Sequence, residues 1–148
     1  RSMARAITDR QAPGDAQAVL ARFIDEGHLL RHLRRMRELY VERQQVLREA
    51  LADASDGAVR LLPSDRGMHL LHEDVAGSDD EALSGLAQSA GVMLAPLSRY
   101  AMESRRRGWL FGYAGYSDTE IKTAARIVGA LMRIRPTFAV RHAEKPAA

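Results

Sequence analysis

The triplet Ser98-Arg99-Tyr100 is the stretch of this sequence best suited to gripping a small ligand. It follows a short apolar run ended by Pro96 and precedes Arg105, Arg106 and Arg107. An arginine in such a turn offers a planar guanidinium fork that matches a carboxylate through two parallel hydrogen bonds. The same side chain is equally suited to pairing with a surface acid, and local sequence leaves both roles open. Ser98 has no Gly-x-Ser-x-Gly turn around it and no histidine nearby in sequence, so nothing marks it as a nucleophile.

Other reactive residue types are placed less favourably. His28 and His32 lie four apart on a helical pattern, as zinc ligands do, but Leu29, Leu30 and Arg31 stand between them instead of a glutamate. An arginine beside a cation is unfavourable, so these histidines are expected to pack and cap the start of a helix. His69 and His72 are three apart in a strand-like run, hence on opposite faces, and cannot share a metal ion. Gly108, Gly112 and Gly115 match neither a Walker loop nor the dinucleotide fingerprint. The two lysines, Lys122 and Lys145, fall on the polar side of a helix and in the final residues. Neither has the buried apolar setting that lowers a lysine pKa for Schiff-base chemistry. No catalytic, cofactor-binding or metal-ligating set is therefore expected within this chain.

Bulk composition narrows the classes further. The chain has 148 residues, of which 46% are hydrophobic, enough for one compact core. It contains no cysteine, which excludes disulfides and thiolate-bound metals. No apolar run approaches the roughly 20 residues of a membrane span, and no signal-peptide pattern opens the sequence. These features read as a soluble, cytoplasmic protein. A net charge of +3 and a pI near 9.7 permit contact with nucleic acid without arguing for it.

The elements that must position the triplet follow from periodicity. Residues 1–14 show little pattern and stop at Pro13-Gly14. Asp15 caps a short helix with Val19, Leu20, Phe23 and Ile24 on its buried side, and Gly27 ends it. A long basic helix then runs from His28 to about Ala52, with Leu29, Leu33, Met36, Tyr40, Leu47 and Leu51 on one stripe. At about 1.5 Å per residue it would span roughly 37 Å, more than a core of this size needs, so it is expected to connect two bodies.

The period then changes from 3.6 to 2. Ala58–Leu62 and Met68–Glu73 are strand candidates separated by Pro63 and the turn Ser64-Asp65-Arg66-Gly67, which predicts an antiparallel hairpin. Ser78 or Asp79 caps a helix running to Ala90, followed by a short strand at Val92–Ala95. Leu97–Arg107 has no clean period. Trp109–Ala114 is a further strand, and Ser117 with Glu120 forms a capping box for a last helix. Ile121, Ala124, Ala125, Val128, Leu131 and Met132 make up that helix's stripe. The division expected is 1–27 for the leading segment and short helix, 28–53 for the connecting helix, 54–136 for a small α/β domain, and 137–148 for a tail. The class is α+β: a long helix followed by a small, mainly antiparallel sheet covered by helices.

Several strings now take on a family likeness. Phe23-Ile24, Gly27-His28, Arg31-His32, Arg34-Arg35-Met36-Arg37, Tyr40 and Arg43 closely resemble, in order and spacing, a block of MocR-type regulators of the GntR superfamily. Looser likenesses follow at Gly67-Met68-His69-Leu70, Gly91-Val92, Pro96-Leu97-Ser98-Arg99-Tyr100 and Leu110-Phe111-Gly112-Tyr113-Ala114. The resemblance covers about residues 15–135. Such regulators join an N-terminal winged helix-turn-helix to a fold-type I, aminotransferase-like domain that binds pyridoxal 5′-phosphate.

The resemblance implies that this segment is the C-terminal part of that domain: the interdomain helix and the small domain. The cofactor, its lysine and the DNA-binding domain would belong to other parts of the parent protein. The expected partners are the large domain, a second copy of the chain and an amino-acid-like effector, with DNA reached only through the other domain. Related aminotransferases hold the substrate carboxylate with a small-domain arginine on a strand. The corresponding strand here reads Leu110-Phe111-Gly112-Tyr113, so Arg99, flanked by Ser98 and Tyr100, is the expected substitute. Two other readings stay open: the small domain of a genuine aminotransferase, and a free-standing basic module on nucleic acid.

Overall fold

The computed structural model describes residues 14–65, 67–74, 77–100 and 106–134. The chain divides into two units, Arg1–Leu39 and Tyr40–Ala148, with the division falling inside one long helix.

In the first unit, helix α1 (Gly14–Asp25) is followed by a turn and the beginning of α2 (His28–Ala54). Gly27, with φ +74°, sits in the left-handed conformation that ends a helix without a Cβ clash. Its N–H donates to the Ile24 carbonyl at 2.9 Å. The turn is closed by side chains: Glu26 lies 3.4 Å from Arg22 and 3.2 Å from His28, and Phe23 stacks on the His28 ring. The expectation that Val19, Leu20, Phe23 and Ile24 face a core is corrected here. No residue of α1 is buried, and Val19 is 69% exposed. The apolar stripe exists, but nothing among the described residues covers it.

In the second unit the sheet has three strands: β1 (His69–Glu73), β2 (Ala95–Pro96) and β3 (Gly108–Gly112). Their order is β1-β3-β2 and both pairings are antiparallel, with Leu70 opposite Phe111 and Ala95 opposite Leu110. Pro96 is tolerated because β2 is an edge strand. Helix α3 (Asp80–Ser89) lies between β1 and β2 in sequence, and α4 (Asp118–Arg133) follows β3. The arrangement is α+β, as the pattern of periods predicts.

One buried cluster joins Leu47 and Leu51 of α2, Leu83 and Ala87 of α3, Leu70, Trp109 and Phe111 of the sheet, and Ile121, Val128 and Met132 of α4. Ser117 caps α4 with both bonds of the capping box formed. Within the sheet, His72 is buried and stacks on Trp109, whereas His69 on the other face is exposed.

The predicted hairpin does not form. Residues 59–64 are not a strand, although Val59 and Leu61 are buried as a period of 2 requires. Their backbone is served by side chains of α2 instead of a strand neighbour. Arg48 Nε donates to the Leu61 carbonyl at 3.0 Å, and Gln44 bonds both the carbonyl and the N–H of Ser64. Strand β1 pairs with β3, a partner some forty residues on. The strand expected at Val92–Ala95 is shorter and later, and that expected at Trp109–Ala114 ends at Gly112. Pro136 and the segment 137–148 lie outside the described residues. Among the described residues, no helix is long and apolar enough to cross a membrane.

Candidate functional site

The predicted triplet occupies a single turn of 3-10 helix, Leu97–Tyr100, directly after β2. Its position is fixed from α3. Asp79 is the N-cap there, accepting the Ala82 N–H at 3.0 Å. The next residue, Asp80, therefore starts the helix, and its side chain turns inward to 0% exposure. One carboxylate oxygen, Oδ2, accepts the Ser98 N–H at 2.9 Å and the Gly108 N–H at 3.2 Å. The other, Oδ1, lies 3.6 Å from Arg107 Nη1. The Asp80 carbonyl accepts the Trp109 indole N–H at 3.1 Å and the Ser84 hydroxyl at 2.7 Å. A buried carboxylate is costly unless charge and hydrogen bonds compensate it. Here hydrogen bonds serve Oδ2, while Oδ1 makes none among the described residues and has only the Arg107 charge nearby.

The three predicted residues are brought together but face differently. The Ser98 hydroxyl oxygen is buried and makes no hydrogen bond among the described residues, so no base is placed to take its proton. Arg99 is 65% exposed, with Nε 3.8 Å from Glu81 Oε1. That is an ion-pair distance and not a hydrogen bond, so the guanidinium keeps its donors for another acceptor. Tyr100 is exposed beside it.

Of the three arginines that follow, Arg105 lies outside the described residues. Arg107 spans Asp79 and Asp80. Arg106 forks onto Glu73 through Nε–Oε1 at 2.9 Å and Nη2–Oε2 at 2.7 Å. That hydrogen-bonded pair holds the Glu73 carboxyl below its usual range and the Arg106 guanidinium above its own. Arg106 and Arg107 are thus paired, and Arg99, at 65%, is more exposed than either.

A concavity of about 530 Å³ lies between α2, α4 and the turn after α3. Leu47, Leu51, Phe111, Ile121 and Val128 line it, and it does not include the triplet. Lys122 is exposed on α4, and Lys145 lies outside the described residues. His28 is held by Glu26 and Arg31. Among the described residues no three His, Asp or Glu side chains are grouped as a metal ion would need.

Asp80 is the member of this site that sequence reasoning overlooks. The run Ser78-Asp79-Asp80-Glu81 reads as capping and dipole-compensating acids. The signal available was the doubling: one aspartate suffices as a cap, leaving its neighbour for another task.

No family model matches the chain. It is 43% identical over 104 residues to the probable rhizopine catabolism regulatory protein MocR of Rhizobium meliloti, covering 67% of this chain and 20% of that protein. It is 32% identical over 108 residues to the uncharacterized HTH-type transcriptional regulator YhdI of Bacillus subtilis (strain 168), covering 72% and 23%. A third relative, YdeL of the same organism and description, is 27% identical over 120 residues, covering 80% and 26%. The chain thus spans between a fifth and about a quarter of the length of these relatives. On these identities and coverages, this chain belongs to the MocR-type regulators of the GntR superfamily, as a segment of one.

Proposed function

We propose that this segment is the small domain and connecting helix of a pyridoxal-phosphate-dependent transcriptional regulator, and that it closes over a cofactor–effector adduct. The observation that carries the reading is the 43% identity to a named regulator, over a stretch that makes up only a fifth of it. In this reading Arg99 binds the effector's carboxylate, with Ser98 and Tyr100 shaping the turn around it. The effector is amino-acid-like, because the guanidinium fork selects a carboxylate.

The cofactor belongs to the remainder of the protein. A Schiff-base lysine needs a buried apolar setting, and Lys122 is exposed on α4. The described residues therefore do not fit pyridoxal phosphate, and no catalytic step is assigned to them. Closure of the small domain favours one orientation of the DNA-binding domain over another, which is how ligand binding becomes a regulatory signal. Helix α2 is the mechanical link. The uncovered apolar stripe of α1 supports contact with the large domain or with a second subunit. Such a regulator works in the cytoplasm and reaches DNA only through its winged helix.

The test is the coding sequence on the N-terminal side of this segment. A winged helix followed by a large domain with a cofactor lysine supports the reading. A large domain without a winged helix would make the parent an aminotransferase, and the absence of both domains would overturn the proposal altogether.

A further inference from the structure

We infer that Asp80 is the positioning residue of the ligand turn, the group that sets where Arg99 stands. The inference rests on the reading of Arg99 as the carboxylate-binding residue. Asp80 contacts no ligand in this scheme; it acts through the backbone of the turn.

Ser98 and Gly108 are ten residues apart in sequence, yet both donate backbone N–H groups to one oxygen, Asp80 Oδ2, at 2.9 and 3.2 Å. That oxygen belongs to a side chain with 0% exposure. Hydrogen bonds to a charged acceptor are about twice as strong as neutral ones, and burial removes the water that would compete for them. The carboxylate thereby ties three elements at one point: the first residue of α3, the 3-10 turn and the start of β3. Its own backbone is fixed as well, because the Asp80 carbonyl accepts from Trp109 Nε1 and Ser84 Oγ.

The residue beside Ser98 is the exposed Arg99. A shift of the Ser98 N–H therefore moves the base of the arginine directly. Gly108 shows how little slack the arrangement has. A Cβ at that position would run into the His72 carbonyl, so β3 lies tightly against β1 where it meets the carboxylate. Arg107 completes the set: its Nη1 lies 3.6 Å from Oδ1, an opposite charge beside the buried side chain. A surface acid such as Glu81, 3.8 Å from Arg99 and 55% exposed, has no such hold.

The experiment compares this chain with Asp80→Asn and Asp80→Ala by amide hydrogen exchange and by the Arg99 Nε–Hε resonance. Asparagine keeps one oxygen acceptor, so it should fall between the other two. In Asp80→Ala, exchange at Ser98 and Gly108 should rise by roughly 10- to 100-fold, as the loss of bonds to a charged acceptor implies. Exchange at Leu51 and Val128 should change far less, and the Arg99 signal should shift although residue 80 does not touch its guanidinium. Unchanged exchange at Ser98 and Gly108 would overturn the inference. So would an equal acceleration at all four amides, which would mark a merely structural role. Where Asp80→Ala does not fold, the Asp80→Asn comparison alone decides. Failure of the underlying reading is seen elsewhere: Arg99→Ala would leave the effector affinity of the complete protein unchanged while the Ser98 and Gly108 amides stay protected. That outcome also removes Asp80's positioning role.

Discussion

Gly129 of α4 packs directly against Ala54 at the end of α2. A Cβ placed on Gly129 would lie 2.5 Å from the Ala54 carbonyl carbon, oxygen and Cβ. Two of those three atoms are backbone, which cannot rotate out of the way. Glycine is therefore required by close approach here, against its poor helix propensity. Gly129→Ala should gain propensity yet lose stability overall, by about 1–3 kcal/mol, as overpacking does. Urea denaturation checks this. Adding Ala54→Gly removes only the side-chain part of the clash, so it should restore stability partially. Full restoration would show that the backbone contact is not the cause.

The fork between Arg106 and Glu73 predicts a pH dependence. Hydrogen bonding to Arg106 lowers the Glu73 carboxyl in the folded chain; desolvation opposes it, and the Arg106 charge adds to the lowering. A depressed carboxyl binds protons less readily folded than unfolded. Its stabilisation is complete above the ordinary carboxylate range and disappears as pH falls through the lowered value. Both side chains are largely exposed, so the effect is small and screened by salt. Glu73→Gln should flatten the acid limb of a stability-versus-pH curve at low salt and match the parent chain at high salt. An acid limb of unchanged slope would count against it.

The cap of α4 gives a third expectation. Ser117 Oγ accepts the Glu120 N–H, while the Glu120 carboxylate accepts from the Ser117 N–H and hydroxyl. Those bonds to Ser117 hold the Glu120 carboxyl below its usual range. Ser117→Ala should cost about 1 kcal/mol in stability. The backbone N–H of residue 117 survives, so the Glu120 carboxyl should move only part of the way back, as a carboxyl-carbon NMR titration would read. Ser117→Pro, lacking that N–H, should move it further. A Glu120 value that stays put in both would dissociate it from the cap.

These devices differ in how visible they were in the sequence. The capping box is a four-residue spacing, so Ser117 and Glu120 could be assigned by inspection. The stripe Ile121, Val128 and Met132 is legible for the same reason: helix contacts repeat locally. Strand pairing is not local. Val59 and Leu61 alternate as a strand does, but alternation reports burial and leaves the hydrogen-bond partner open. Here Arg48 and Gln44 of α2 supply that partner, and β1 reaches β3 across an intervening helix. The candidate site divides in the same way. The turn that exposes Arg99 follows from residue type and context, and its ligand role is the proposal made above. Beyond the doubled aspartate, nothing local in the sequence separates Asp80 from a capping acid. The apolar face of α1 has the spacing of a buried face, and spacing alone cannot say what covers it.

On the proposal that Arg99 takes a carboxylate, its neighbour Glu81 is the competitor for the guanidinium. The pair is separated by 3.8 Å with both side chains more than half exposed, a geometry that contributes at most about 1 kcal/mol. A bidentate bond to a ligand carboxylate is stronger, on the order of 1.5–3 kcal/mol, so the ligand displaces Glu81. In the complete protein, Arg99→Ala should weaken binding of phosphopyridoxyl-alanine by an amount of that order. Arg99→Lys should recover only part of it, because an ammonium is a point charge and not a fork. Glu81→Gln removes the competitor and should strengthen binding by up to about fivefold at low salt, with the gain fading as salt screens the pair. Calorimetric titration reads all three. If Arg99→Ala and Arg99→Lys bind the adduct as the parent does, the carboxylate is held elsewhere, and the turn's exposed arginine serves only to pair with Glu81.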